Sequence, residues 1–418
     1  MGIPSLVVTL LLCALACTAP LHAQGGSNYT VFGLGDQRRS VGAAYEGVGG
    51  CLYSTSFDNT INIANPAVWT DVKTTRLQGG YRFNQHFVTQ NGRTVGNNNG
   101  KLDGVAVIFA LDTTVGVSAC IGLYPSSSVN YSFVKGERIA LPEPGRFIDG
   151  SSAYVGSGGL NSGFLGASWA LGPRISVGLA GLFHFGVITD KIETSILSEA
   201  ALNSITTNMD QLSATGFTFG VQTRPYDGFT LGGSITMNGS LSTISDMNYR
   251  TAQTGGVVSY DSTFTRTATS SMPSTFGVGA SYRRERLLFL ADAEVQTVDG
   301  MTYRMPVGSS YTNASRIGVG ISRLGSRSAG MSYAQKMNLN AGLGIRNLHY
   351  SFFGETVTEQ YGTFGVQMPF GGAAMVDAAV VLGVRGSTRN GGVEELFGRL
   401  TVTISVGEVW FIPFRREQ

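Results

Sequence analysis

The amino-acid sequence predicts an all-β fold, a membrane-spanning antiparallel β-barrel of about fourteen strands. Three observations carry that prediction. Apolar and small polar residues alternate with a period of two through most of the chain after residue 72, the pattern of strands with one apolar and one polar face. Charged residues make up only 13% of the 418 residues, about half the usual share for soluble domains. Yet no run of about eighteen apolar residues follows the N-terminal segment, so no helix is available to span a bilayer. Finally, the connections between alternating stretches are short and long in turn, as in barrels with tight turns on one side and larger loops on the other. The formal net charge of +2 is no footprint for nucleic acid.

Residues 1–23 read as a secretory signal. Their apolar core, "LVVTLLLCALAC", is too short for a stable span, and "LHA" before Gln24 is a cleavage site. The "MGIPS" start carries no Lys or Arg, and "ALAC" ending at Cys17 leaves a lipid anchor as the alternative. Export permits disulfides. After cleavage Cys51 and Cys120 remain, either as a pair or as two buried free thiols. Residues 24–72 are glycine-rich without a period and close on "ANPAVW". There Asn65-Pro66-Ala67 makes a turn, because proline fixes its own φ and Asn-Pro favours turn initiation.

The wall follows over 73–410. "RISVGLAGLFHFGV" sets Ile175, Val177, Leu179, Phe183, Phe185 and Val187 on one face against Ser176, Gly178, Ala180, His184 and Gly186. "GFTLGGSITMN" and "KMNLNAGLGIR" repeat the pattern. The strands are expected over 74–83, 102–112, 115–123, 161–171, 174–187, 213–224, 228–240, 274–284, 287–298, 315–323, 336–347, 359–369, 374–386 and 396–407. Short turns ("DTT", "GPR", "RPYDG", "RE", "FGGA") follow even strands, with a longer one at 324–335. Long polar segments follow odd ones. A soluble sandwich has no reason to sort its loops this way, and it needs charged outer faces. The apolar faces must therefore meet lipid. Asp292, Glu294, Asp377, Arg385, Glu395 and Arg399 belong in the lumen, since a charge facing lipid costs about 2–4 kcal/mol. They read as cross-strand braces or as a ligand path. His184 reads as a luminal spacer.

The outer segment 189–212 is rich in helix formers. It spaces Ile192, Ile196, Leu197, Ala200, Leu202 and Ile205 near a helical period. It predicts a helix above the barrel mouth, either a ligand-facing apolar landing site or a loop helix packed on its neighbours. The four histidines are scattered, no metal-ligand spacing occurs, and no serine is forced beside His184. Neither an enzyme, a cofactor nor a metal is expected.

Four stretches in order now carry a resemblance: "FGLGDQRRSVGAAYEGVG" with "ANPAVW"; "SGGLNSGFLGASWALGPRISVGLAGLFHFG"; "MPSTFGVGASYRRERLLFLADAEVQ"; and "VVLGVRGSTRNGGVEELFGRLTVTISVGEVWF". Over essentially the whole mature chain the sequence resembles the FadL/TodX-type outer-membrane transporters of long-chain fatty acids and aromatic hydrocarbons. The resemblance implies a fourteen-stranded barrel whose lumen is plugged by an N-terminal hatch. Residues 24–72 would be that hatch, with Gly33, Gly35, Asn65, Pro66 and Ala67 as hatch or gate residues. It implies passive uptake of a hydrophobic small molecule, captured by apolar outer loops and passed to a pocket above the hatch. Release would follow through a hatch shift or a gap in the wall. In the family a kink in the third strand makes such a gap. Here Pro125, which cannot donate a ladder hydrogen bond, marks either that opening or the strand's end. Trp410, Phe411 and Phe414 are followed by "RREQ", a variant assembly signal or a periplasmic tail over 411–418. The expected partners are the ligand, outer-membrane lipid and the barrel-assembly machinery during biogenesis, with a monomer in the outer membrane.

The alternative is the same fold used as a docking platform for a protein-secretion or assembly system, as some FadL-like proteins are. An apolar pocket running from loop to hatch favours the transporter. A lumen blocked by polar braces, together with a large outer surface, favours the platform.

Overall fold

In a bilayer every backbone N–H and C=O must be satisfied within the protein, so strands are stable there only when the sheet closes on itself. The computed structural model shows such a closure. It describes residues 26–409, apart from 39–40, 58–59, 141–144, 146, 197–201, 254–257, 327, 329, 372 and 390–391. The expected signal over 1–23 and the tail over 411–418 lie outside the described residues.

The first strands are β1 Asp36–Gln37, β2 Thr75–Gln90, β3 Arg93–Asp112, β4 Val117–Pro125, β5 Ser127–Ala140, β6 Phe147–Ala170 and β7 Ile175–Ile196. Next come β8 Leu202–Tyr226, β9 Phe229–Asn238, β10 Ser240–Gln253, β11 Val258–Ser271, β12 Ser274–Arg284 and β13 Leu287–Thr297. The chain finishes with β14 Ser309–Tyr311, β15 Ala314–Arg323, β16 Asn338–Phe352, β17 Glu355–Pro369, β18 Met375–Gly386 and β19 Glu394–Glu408. The ladders are antiparallel, and β19 returns to β2 from Glu394↔Thr89 to Glu408↔Thr75, closing the ring. Three wall strands are interrupted. β4 and β5 both pair with β6 and part at Ser126. β9 and β10 both pair with β8 and part at Gly239. β11 and β12 follow them, parting at Met272-Pro273. With these joined, and with β1 and the short β14 set aside, the wall has the expected fourteen strands.

The exposed face of the wall is aliphatic and aromatic: Leu179, Phe183 and Phe185 on β7, Phe276, Val278 and Tyr282 on β12, Leu287, Phe289 and Val295 on β13. That is the lipid-facing band of an outer-membrane barrel.

The expected strand cores are all found, but the long connections were read too long. Most of 84–101 is strand, folded at a hairpin where Asn91 and Gly92 both take positive φ (50° and 75°). Much of 124–160, 188–212 and 241–273 is likewise strand. Above the lipid band the outer face no longer needs apolar residues, so the alternation fades while the ladder continues.

The helix expected over 189–212 is a correction of kind. Thr189 to Ile196 completes β7 and Leu202 onward begins β8. β-branched Thr and Ile suit a pleated surface once neighbouring strands supply the ladder. The apolar set is not brought together: Ile192 lies opposite Thr206, which puts Ile205 on the other face of the sheet. Ile192, Ile196 and Ile205 are half-buried, Leu202 opens β8, and Leu197 lies outside the described residues.

Residues 26–72 run along the inner face of the wall. They form a 3-10 turn at Asn28–Val31, one helical turn at Ala43–Glu46 and a 3-10 turn at Pro66–Asp71. Where backbone meets wall, the wall is glycine. A Cβ on Gly342 would sit 2.2 Å from the Gly49 nitrogen, and one on Gly320 would sit 2.4 Å from the Val48 carbonyl oxygen. The inner segment therefore lies directly on the β15–β16 backbone.

Candidate functional site

The contact between this inner segment and the wall decides whether anything passes the lumen. It begins at Asn65. The Asn65 side chain caps the Pro66–Asp71 turn by accepting from Ala67 N at 3.0 Å. Its amide donates to the carbonyls of Tyr53 (2.7 Å) and of Val221 on β8 (3.2 Å). A capping Asn before Pro is the local rule for such a turn. The wall accommodates it at Gly220, where a Cβ would meet Asn65 Oδ1 at 2.0 Å. Trp69 is buried beside Phe164 on β6, and its indole N–H donates to the Asn62 carbonyl at 2.5 Å. Asp71 pairs with Arg224 at the turn side. Ala67 is fully buried.

Gly33 and Gly35 do a different job. Both take positive φ (57° and 83°), and a Cβ on Gly35 would meet the Ser128 carbonyl oxygen at 2.5 Å. They turn the segment into β1, which pairs Asp36↔Ser128 and Gln37↔Ser127 with β5. This pairing fills a seam in the wall. β3 is paired with β4 from Asp112↔Val117 to Val105↔Leu123, and among the described residues no ladder joins β3 to β5. The seam opens at Pro125, which ends β4 opposite Asn161. Inner residues occupy it: Gly26 N donates to Asn130 O (2.7 Å) and Arg38 N to Ser126 O (2.9 Å). Lys101 reaches across from β3 to Ser128 Oγ (2.8 Å).

The luminal charges named from sequence all meet the inner segment or one another. Arg385 is 1% exposed. It donates twice to Glu359 (2.9 and 2.7 Å), to Asp36 (3.3 Å) and to Ser27 Oγ (3.1 Å). Arg346 contacts the same two carboxylates at 3.2 and 3.4 Å. Glu395 accepts from Ser27 Oγ (2.6 Å) and Asn28 N (2.8 Å), and the Tyr29 hydroxyl donates to the Val393 carbonyl. Glu46 holds Arg82 (3.0 Å) and Arg399 (3.2 Å), while Asp103 holds Arg82 (2.8 Å). Asp292 accepts from the amides of Leu52 and Tyr53, and Glu294 accepts the Tyr53 hydroxyl. Asp377 accepts from Thr60 at 3.1 Å. Sequence reasoning missed Asp36, Glu46, Arg82, Asp103, Arg346 and Glu359. Four of them are charges at polar-face positions of strands, a signal available to closer reading. Asp36 and Glu46 lie where no periodicity exists.

The mouth is also covered. Met301 and Tyr303 from the β13–β14 connection pack on Leu34, Leu212 and Leu241. The Tyr303 hydroxyl donates to Asp210 (2.7 Å), and Arg304 reaches Asp190 and Asp210. Burial, then the neighbouring Asp210 charge, pushes the Tyr303 phenol well up. Cavities remain between inner segment and wall: one of about 590 Å³, lined by Thr55, Ser56, Phe57, Arg224, Arg283 and Asn338 among others, and two small ones bordered by Gln37 and Arg38. The first of the small ones, about 80 Å³, is lined by Arg38, Arg82, Arg346, Arg399, Glu46 and Glu359, among others. The other, about 110 Å³, touches Leu34, Tyr124, Leu160, Leu182, His184 and Asn238. Sites for drug-sized ligands run to about 300–1,000 Å³, so neither of these two small cavities holds a long acyl chain, while the one beside Thr55–Phe57 is of ligand size.

A serine does stand beside His184: Ser162 Oγ lies 2.6 Å from Nδ1, and Asn238 Oδ1 lies 3.1 Å from Nε2. Ser162 is fully buried, so no substrate carbonyl can reach it. The trio braces β6, β7 and β9. Cys51 and Cys120 are separate buried thiols. No group of metal-ligating side chains occurs among the described residues.

Comparison with known proteins adds the following. A family model described as BamG matches residues 4–416. No curated protein matches the chain. The P. putida toluene transporter TodX superposes with a TM-score of 0.58 at 13% identity, covering 90% of this chain and 99% of that one. A Pseudomonas aeruginosa FadL homologue gives 0.58 at 13% identity, with 88% and 98% covered. The CymD monoaromatic hydrocarbon channel gives 0.58 at 11%, with 89% and 99% covered. At such identities the likeness is one of fold, and that fold is the FadL-type barrel read from the sequence.

Proposed function

The chain belongs to the BamG family, and from that premise we propose that it is an outer-membrane barrel, exported by a cleaved signal, that serves as a docking platform for a protein-assembly or secretion system. The barrel and its family support that location. The observation that supports the platform reading is the lumen. Residues 26–72 are tied to the wall by ion pairs of Asp36 with Arg346 and Arg385, of Glu46 with Arg82 and Arg399, and of Arg38 with Asp103. A hydrophobic solute crossing this space would have to break ion pairs that cost about 3–5 kcal/mol each to disrupt in a buried setting. A plugged and braced barrel is a rigid body in the membrane, and its working surface is then its outside.

A second reading is passive uptake of a hydrophobic solute. The fold shared with TodX and CymD favours it. Under it, residues 26–38 would leave the seam between β3 and β5, and Pro125 would mark the release point.

Mass spectrometry of protein extracted gently from native membranes separates the two. The platform reading expects a stoichiometric protein partner and no bound lipophile. A bound fatty acid or aromatic, without a protein partner, overturns it in favour of uptake.

A further inference from the structure

Above the lipid band, β5, β6, β7, β8, β10 and β11 continue as one sheet. Its last strand is β11. Among the described residues β11 pairs only with β10, from Ser240↔Ser271 to Ala252↔Val258. The next wall strand, β13, pairs with β12 and stops at Thr297. At the base of β11 the β13–β14 connection touches it twice, through Ser271 N→Gly300 O and Thr302 N→Ser270 Oγ. From Val258 to Thr269 the far edge carries no ladder.

Free edges invite pairing, and proteins usually blunt them with Pro, Lys, bulges or brevity. This edge has few of these: a register shift near its tip and the charges of Asp261 and Arg266. Its fourteen residues hold no Pro and no Lys. The one irregularity in its ladder lies near the tip, between Thr251 and Ala252. One side of the strand carries Tyr260 and Phe264, both more than half exposed, with Tyr260 against Tyr249. The other side carries Asp261, Thr263, Thr265, Thr267 and Thr269. That polar side marks water rather than acyl chains around the strand.

We infer that the β11 edge is a docking site for an extended segment of a partner polypeptide, which adds as a strand beside Val258–Thr269. This rests on the platform reading and gives it a surface. Main-chain hydrogen bonds supply the affinity in such additions, and pockets for alternate side chains supply the specificity; here Tyr260 and Phe264 flank the alternate positions. The Gly300–Thr302 contact stops the added strand at the rim. A second copy of this chain does not fit. Two barrels upright in one membrane are related by an axis along the membrane normal, and barrel strands tilt by about 35–45°. That axis keeps the vertical direction of β11 and reverses the horizontal one, so the two edges cross instead of running side by side.

The test uses the full chain in its native membranes. A photo-crosslinking benzoylphenylalanine is placed at Thr263 or Thr267, and the crosslinked peptides are mapped by mass spectrometry. The expected result is that both positions reach one segment of one partner, at residues four apart. Thr265→Pro and Arg266→Pro, made separately, remove one outward and one inward N–H. One of the two should lower crosslinking at least tenfold while the barrel keeps its heat-modifiable gel mobility. Crosslinks scattered over unrelated segments, or unchanged in both proline variants, overturn the edge proposal. If a stoichiometric partner still co-purifies in that case, the platform reading stands without it. If no protein partner co-purifies at all, both fall.

Discussion

Replacing Arg385 with Met should loosen the N-terminal part of the inner segment while leaving the barrel closed. Arg385 is 1% exposed and gives five hydrogen bonds, two to Glu359, two to Asp36 and one to Ser27. Removing one member of a buried ion pair costs about 3–5 kcal/mol, because the partner charge is left without compensation. Arg346 still contacts both carboxylates, so the lower end, about 3 kcal/mol, is expected. The β17–β18 ladder is made by backbone groups and is not touched. The loss therefore appears as local opening of residues 26–38. About 3 kcal/mol is roughly a hundredfold in an equilibrium constant, so exchange of the Gly26 and Arg38 amides, both bonded to β5 or its approach, should speed up by about that factor. Hydrogen–deuterium exchange of the protein in detergent reads it directly. Adding Glu359→Gln should restore part of the protection, since two opposite charges then leave together. A change below threefold at 26–38, or a double variant looser than Arg385→Met alone, would refute the bracing role.

Three further outcomes follow from the same geometry. Gly342→Val puts a side chain where the Gly49 nitrogen now lies; it should displace the inner segment and raise dye efflux from liposomes several-fold, and unchanged efflux with a folded barrel would contradict the contact. Trp69→Ala removes a fully buried ring from beside Phe164 and should cost about 3–5 kcal/mol in urea unfolding. Cys51 and Cys120 are buried and unpaired, so neither should react with a thiol reagent until the protein unfolds, and reductant should not change its gel mobility.

The wall was legible because lipid on one side and the lumen on the other force opposite chemistry onto successive residues. Phe276, Val278 and Tyr282 face out while Gly277 and Gly279 face the inner segment, and such a contrast survives without any alignment. Where β7 and β8 rise above the membrane, the same backbone pattern continues over Thr, Ser, Asp and Asn. Hydropathy reports the solvent on each face and is silent about the ladder, so Ile192, Ile196 and Ile205 could be fitted to a helix. The inner segment was visible only as a region without period. Its ties to the wall run from Asn65 to Val221 and from Glu46 to Arg399, pairings that no local pattern can announce. The luminal carboxylates and arginines of β13, β18 and β19 were found because a charge cannot sit in the lipid band. Two of the charges they meet were not, because Asp36 and Glu46 lie on the inner segment, where no period marks them.

Ser27 and Asn28 are fastened to Glu395, across 368 and 367 positions of sequence, and Glu395 lies on the strand that closes the ring against β2. The earliest part of the described chain, held also by β5 and by Arg385 of β18, thus completes its anchor only when the last strand arrives. Closing the cylinder and seating its contents become one event, since each supplies hydrogen bonds the other needs. A folding route through such distant contacts is slow. It also has a built-in check on completeness: a chain truncated before β19 could not close and would lose the Glu395 tie of its N-terminal end, leaving both ends more open to proteolysis.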